Sequence, residues 1–142
     1  MQFHFEMIKD LKTLLNSPGY KEEEVNKEQV SHLLIHLSDL SSPMKTWNIA
    51  RIWSQRVTTE FMAQNKMEES LKNIPVTPFM KNLHDPKIMA DQEAKFIQYV
   101  VIPYANVMNQ LFNNDLKEMV NNLTHNMNTW NERVKEKPAI EI

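Results

Sequence analysis

Two groups of side chains in this chain have types and spacings that could do chemistry. In Leu33 to Trp47, read LLIHLSDLSSPMKTW, one carboxylate, Asp39, is carried in on a run of apolar residues. Buried beside Leu34, Ile35, Leu37 and Leu40 while charged and unpaired, it would cost several kcal/mol. That position therefore calls for a metal, a basic side chain or a set of backbone donors. His32, His36 and Asp39 follow at helical spacing, so a helix would bring all three near one face. Such a set can bind zinc, but the glutamate of the zinc-protease pattern is absent. In an apolar helix a histidine is more often a hydrogen-bonded core or boundary residue. The second group, His84-Asp85, is a dipeptide in a turn, and a helix-capping role explains its acid without any metal. No serine and histidine are spaced as a nucleophile with its base, which sets acyl transfer aside.

Composition narrows the class. At 142 residues with a formal charge of −2, the chain is about one domain long and shows no general attraction to nucleic acid or anionic membranes. It has no cysteine, which excludes disulfides and thiolate metal sites, and its one glycine, Gly19, excludes a phosphate-cradling glycine loop. No apolar run reaches the roughly 18 residues of a membrane span, and no signal-peptide pattern opens the sequence. Ten methionines, many leucines and scarce glycine point to an all-α chain of cytoplasmic type.

The elements that must position these residues follow from periodicity. Phe3 to Leu15 reads as a helix with Ile8, Leu11 and Leu15 on one stripe, stopped by Asn16-Ser-Pro-Gly19. Lys21 to Glu24 is a charge run, expected to be solvated. Glu28 to Leu40 reads as a second helix, apolar nearly all round in its latter half and so expected to be buried on several sides. After Pro43, a helix from Lys45 to about Asn65 would put Trp47, Ala50, Trp53, Val57 and Phe61 on one face, with a short helix from Met67 to Leu71 beyond. Ile74 to Met80 holds two prolines and reads as an extended apolar loop. Asp85-Pro86 starts a helix through Phe96 and Ile97 to Pro103, which should kink or divide it before Tyr104 to Phe112. Asn113-Asn-Asp115 would cap a last helix striped by Leu116, Met119, Val120, Leu123, Met127, Trp130 and Val134. One domain, 1–134, with a charged, frayed tail at 135–142, is the expected organisation.

A wider pattern runs through these elements in order. Ser38-Asp-Leu-Ser-Ser-Pro-Met-Lys-Thr-Trp47, then Trp53 and Glu60-Phe61-Met62-Ala-Gln64, then Pro75-Val-Thr-Pro78-Phe-Met80 and Phe96-Ile97-Gln-Tyr99-Val-Val101-Ile-Pro103 form one register. Upstream, Met1-Gln-Phe-His4-Phe5 and Ile8-Lys-Asp-Leu-Lys12 extend it. The series resembles class I 3′,5′-cyclic-nucleotide phosphodiesterases over about Met1 to Trp130, with the calmodulin-dependent type the nearest-looking branch.

The resemblance implies the C-terminal helical portion of an HD-type phosphodiesterase catalytic domain. It implies that Asp39 is one of four ligands, two histidines and two aspartates, to a zinc beside a magnesium-like metal. The implied chemistry is metal-assisted hydrolysis of cAMP or cGMP to the 5′-nucleotide, a histidine protonating the leaving oxygen. Phe96 matches the ring that stacks on the purine, and Phe79 and Met80 belong to the Pro78 loop of the same pocket. Glu93 stands where the family reads the purine with glutamine, and Gln92 is next to it. Other departures are Lys95 and Asn65-Lys66 at glycine-containing positions, Lys81 for an aspartate, and Ser42 for an asparagine or histidine. Neither His32 nor His36 matches a ligand position.

In the family that the chain resembles, the remaining ligands and the general-acid histidine belong to motifs upstream of the part matched from Met1. The chain alone is therefore expected to hydrolyse nothing, to lack the metals, and to expose apolar faces meant for a missing N-terminal half. The alternative is a non-catalytic relative acting as a binding or regulatory module.

Overall fold

The computed structural model describes residues 2–19, 27–71 and 73–136. The charge run at Lys21 to Glu24 and the tail from residue 137 lie outside them. Six α-helices, and no strand among the described residues, make the all-α architecture: α1 (Gln2–Leu15), α2 (Lys27–Asp39), α3 (Trp47–Ser70), α4 (Pro86–Phe96), α5 (Ile102–Leu111) and α6 (Lys117–Lys135). None is long and apolar enough to cross a membrane.

The core lies where α4 and α5 meet α6. Ala90 and Ala94 are almost wholly buried, and as small side chains one turn apart they let α4 lie close along α6. Ile97, Val101, Tyr104, Met108 and Leu123 complete that core, with α1 and α2 laid over α5 through Ile8, Leu11, Leu33 and Leu37. Burying each such side chain is worth about 1.5–3 kcal/mol.

Pro103 neither breaks nor divides the α4–α5 run. A π-helical turn, Ile97–Val101, joins the two helices. A proline in a regular helix has no N–H to donate and its ring presses on the carbonyl four residues back; widening the preceding turn relieves both problems.

Other expectations shift for equally local reasons. α2 is not buried on several sides: Leu33 and Leu37 are its buried residues, while Leu34 and Ile35 are 41% and 62% exposed. α3 absorbs the expected separate helix at Met67–Leu71 and runs unbroken to Ser70. Its buried residues are Ala50, Ser54 and Thr58, while Trp53 turns outward beneath the Arg56 guanidinium. The loop after α3 tightens at Pro78–Met80 into a 3₁₀ turn, held by Thr77 donating its N–H and hydroxyl to the Glu68 carboxylate at 2.7 and 3.0 Å. These bonds hold the Glu68 carboxyl below the usual range. Asn113 and Asn114 do not cap α6. Both are left-handed (φ 50° and 71°) and close the turn that ends α5, Asn114 N–H bonding the Asn109 carbonyl at 2.8 Å.

Candidate functional site

A cleft of about 530 Å³ opens between the end of α2, the inner face of α3 and α4. That volume suits a small organic ligand. α4 is two-faced: Ala90 and Ala94 meet the core, while Met89, Gln92, Glu93 and Phe96 repeat at helical spacing toward the cleft. Of the residues singled out from sequence, Asp39, Phe79, Gln92, Glu93 and Phe96 all line this one space. Met80 does not line it; it is buried next to Phe79 in the 3₁₀ turn.

The wall facing α4 sets Val57, Phe61 and Phe79 beside the Ser54 and Thr58 hydroxyls. Phe61 of α3 meets Phe79 edge to face, ring centroids 5.6 Å apart, which fixes the rim the Pro78 turn contributes. Phe96 is 36% exposed, so its ring is presented to the cleft instead of being consumed by the core. A flat ligand entering here can stack on it.

Glu93 is the cleft's unusual group. Burial pushes its carboxyl above the ordinary carboxylate range. Ser54 stands close enough to favour the ionised form and temper that rise, but its buried Oγ completes no hydrogen bond.

Asp39, the last residue of α2, lines the cleft. It is exposed to solvent, so the cost that would have demanded a partner does not arise. A carboxylate there is a hard oxygen donor of the kind zinc and magnesium accept. Among the described residues, however, no three ligating side chains gather. One donor does not hold a two-metal centre; these residues fit one corner of such a site and not the whole.

The local alternatives dissolve. His32 is exposed. His36 is spent elsewhere, its Nε2 2.8 Å from His4 Nδ1, while His4 Nε2 lies 3.1 Å from the Val100 carbonyl. A carbonyl only accepts, so His4 Nε2 carries the hydrogen, and the neutral ring accepts at Nδ1 from His36. Asp85 is the N-cap of α4, accepting from Lys87 N–H at 2.8 Å.

Sequence reasoning passed over what shapes the turn after Asp39. Ser42–Met44 forms a 3₁₀ turn with Pro43 and Met44 buried. Asn126 of α6 donates to the Pro43 and Lys45 carbonyls, both at 2.8 Å, and Asn122 donates to that of Met44 at 3.1 Å. The available signal was faint: two asparagines, four apart, beside an apolar stripe. Trp47 is fixed from the same helix, its ring edge-on to Trp130 at 4.8 Å with Arg133 over both rings.

Comparison with known proteins gives a consistent family. The sequence model of the 3′5′-cyclic nucleotide phosphodiesterases matches residues 1–123. The probable 3′,5′-cyclic phosphodiesterase pde-3 of Caenorhabditis elegans is 30% identical over 138 residues, covering 93% of this chain and 20% of that protein. The dual specificity calcium/calmodulin-dependent 3′,5′-cyclic nucleotide phosphodiesterase 1C of Mus musculus is 31% identical over 113 residues, covering 78% of this chain and 15% of that one. The crystal structure of the phosphodiesterase domain of the RhoPDE fusion protein from the choanoflagellate Salpingoeca rosetta superposes with a TM-score of 0.84 at 27% identity. That match covers 95% of this chain and 43% of the other. The chain thus spans about a fifth or less of these curated relatives and under half of the solved domain.

Proposed function

The chain belongs to the 3′5′-cyclic nucleotide phosphodiesterase family, and from that membership we propose that its cleft is the base-binding portion of a phosphodiesterase acting on cAMP or cGMP. The observation that carries this is the gathering of Asp39, Phe79, Gln92, Glu93 and Phe96 around one space. In this reading the purine stacks on Phe96, with the Phe79 turn as the rim, and Glu93 or Gln92 meets the base edge. The cyclic phosphate points toward Asp39, which would give one oxygen to a divalent metal. Zinc and magnesium, held by the complete domain, supply the hydrolytic chemistry when bound. The residues of this chain orient the base and shield it from water. They supply one of the metal donors and no general acid, so the 142-residue chain by itself binds without hydrolysing. A lone donor is also what a non-catalytic relative, working as a binding or regulatory module, would present.

Titrating cAMP and cGMP into the purified chain while following tryptophan emission tests the reading, because Trp130 lines the cleft. Either nucleotide should perturb the signal, and Phe96→Ala should weaken binding by the roughly 1–3 kcal/mol of one stacked base. Absence of binding by both nucleotides would defeat the proposal. Metal-dependent turnover by the chain alone would overturn the division between binding and hydrolysis.

A further inference from the structure

The rim of the cleft is tied from outside the cleft. Phe79 and Leu83 bring the connection between α3 and α4 onto this space. Pro75 and Pro78 have no N–H, which removes two of the donors that could fix that connection to its neighbours. Glu68, near the end of α3 and not itself a lining residue, takes over. Its Oε2 accepts the Thr77 N–H at 2.7 Å, and its Oε1 accepts the Thr77 hydroxyl at 3.0 Å and the Gln64 side-chain amide at 2.7 Å. Resting on the nucleotide reading above, we infer that Glu68 is a positioning residue for the ligand: through Thr77 it holds Phe79 at the rim, so that a base entering the cleft meets that ring already in place.

The direction of the Thr77 hydroxyl carries the first part of this. Thr77 is the N-cap of the 3₁₀ turn Pro78–Met80, where a hydroxyl ordinarily accepts an N–H two or three residues on. Here it makes no capping bond to its own turn and is turned to Glu68 instead. Helical spacing carries the second part. Phe61 and Glu68 are seven apart on α3 and share a face. The turn is thus pinned to one helix at two points, Thr77 by the Glu68 carboxylate and Phe79 by the edge-to-face contact with Phe61 at 5.6 Å.

The residue type follows from the donor count. Three donors converge on two oxygens, and an ionised carboxylate accepts all of them without presenting a donor of its own. Bonds to a charged acceptor are also the stronger kind. A glutamine at 68 would set its NH₂ against either the Thr77 N–H or the pair formed by the Thr77 hydroxyl and Gln64. The Gln64 bond comes from one turn back on α3 and fixes how the carboxylate faces. The Glu68 carbonyl accepts the Leu71 N–H at 3.1 Å, so the main chain that carries this carboxylate is held as well.

Limited chymotrypsin digestion of the dilute intact chain, read by mass, reports on the rim without any nucleotide. Phe79 is 49% exposed, and cleavage after it needs the turn to open locally. Glu68→Gln should speed that cut by about twofold to about tenfold relative to cuts elsewhere in the chain. It should weaken cAMP and cGMP binding by a similar factor, the worth of one ordered aromatic contact. Thr77→Val keeps the N–H and loses the hydroxyl, and should show both changes to a smaller extent. Thr77→Ser keeps both donors and should match the parent. Glu69→Gln, the same loss of charge one residue on, where the carboxylate accepts from Asn65, should leave both readouts unchanged. An unaltered cut after Phe79 in Glu68→Gln and Thr77→Val overturns the inference, as does a loosened turn with no loss of affinity, or an equal effect of Glu69→Gln; in each case nucleotide binding by the parent leaves the nucleotide reading standing. Failure of both nucleotides to bind the parent overturns that reading, and the role of Glu68 toward the ligand with it.

Discussion

Asn126 shows how much one side chain decides. Its amide must face the Pro43 and Lys45 carbonyls with nitrogen, because two carbonyls can only accept. Asn126→Ala should therefore cost about 1–3 kcal/mol for each carbonyl left bare, seen as a lower urea midpoint. Asn126→Asp should be worse than alanine, since it sets a buried acceptor against two acceptors; a variant as stable as the parent would show that the turn does not depend on this clamp. Legibility at this scale is uneven. Asp39, Phe96, Glu93 and Gln92 stood out because their neighbours in sequence form ordered motifs. Asn126 did not, because its partners are more than eighty residues away and an asparagine in a helix more often faces solvent. The burial expected of Asp39 was misjudged for the opposite reason. The apolar residues around it in sequence are not around it in space, since Leu34 and Ile35 are on the open side of α2.

At the scale of elements, helical spacing found all six helices, though it cut α3 short, and could not say how the helices are tied. The tie between α1, α2 and the π turn is His4, whose ring bonds His36 and the Val100 carbonyl and meets Tyr104 at 5.3 Å. Tyr104 in turn donates to the Leu33 carbonyl at 2.9 Å, and burial pushes its hydroxyl up to about 12. Burial, and then the neighbouring His36, hold His4 below its ordinary value of 6.5. The unfolded chain therefore binds a proton on His4 more readily than the folded one. Stability from this group is fully present above the ordinary value and is lost as pH falls through the lower, folded one, by at most about 1.4 kcal/mol per pH unit. Hydrogen exchange of α1 should accelerate relative to α6 as the pH is lowered from the neutral range, and His4→Gln should flatten that difference. Equal pH dependence in α1 and α6 would remove His4 from the role. The π turn was equally invisible in advance: Pro103 signals a disturbance, but whether a helix kinks, stops or widens depends on the core packed against it.

The whole molecule is a well-buried body of α3 to α6 with a thinner layer, α1 and α2, resting on α5. Next to buried His4 and its partners in sequence stand exposed apolar side chains. Phe3 and Phe5 flank it in α1 at 78% and 51% exposed, Ile35 precedes its partner His36, and Tyr99 precedes its partner Val100 at 61% exposed. Large apolar side chains exposed to this extent are uncommon on a free-standing surface, and this chain matches under half of the solved phosphodiesterase domain it resembles. Exposure of this kind fits contact with the remainder of such a domain. In isolation the chain should bind a hydrophobic dye and self-associate as its concentration rises, and Ile35→Lys with Phe3→Ser should reduce both. Its melt should be stepwise, α1 and α2 loosening before the body. The cleft's longest walls, α3 and α4, belong to the body and should outlast that first step. A single sharp transition of a dye-silent monomer would mean that α1 and α2 share the stability of the core, and that these exposed side chains need no cover.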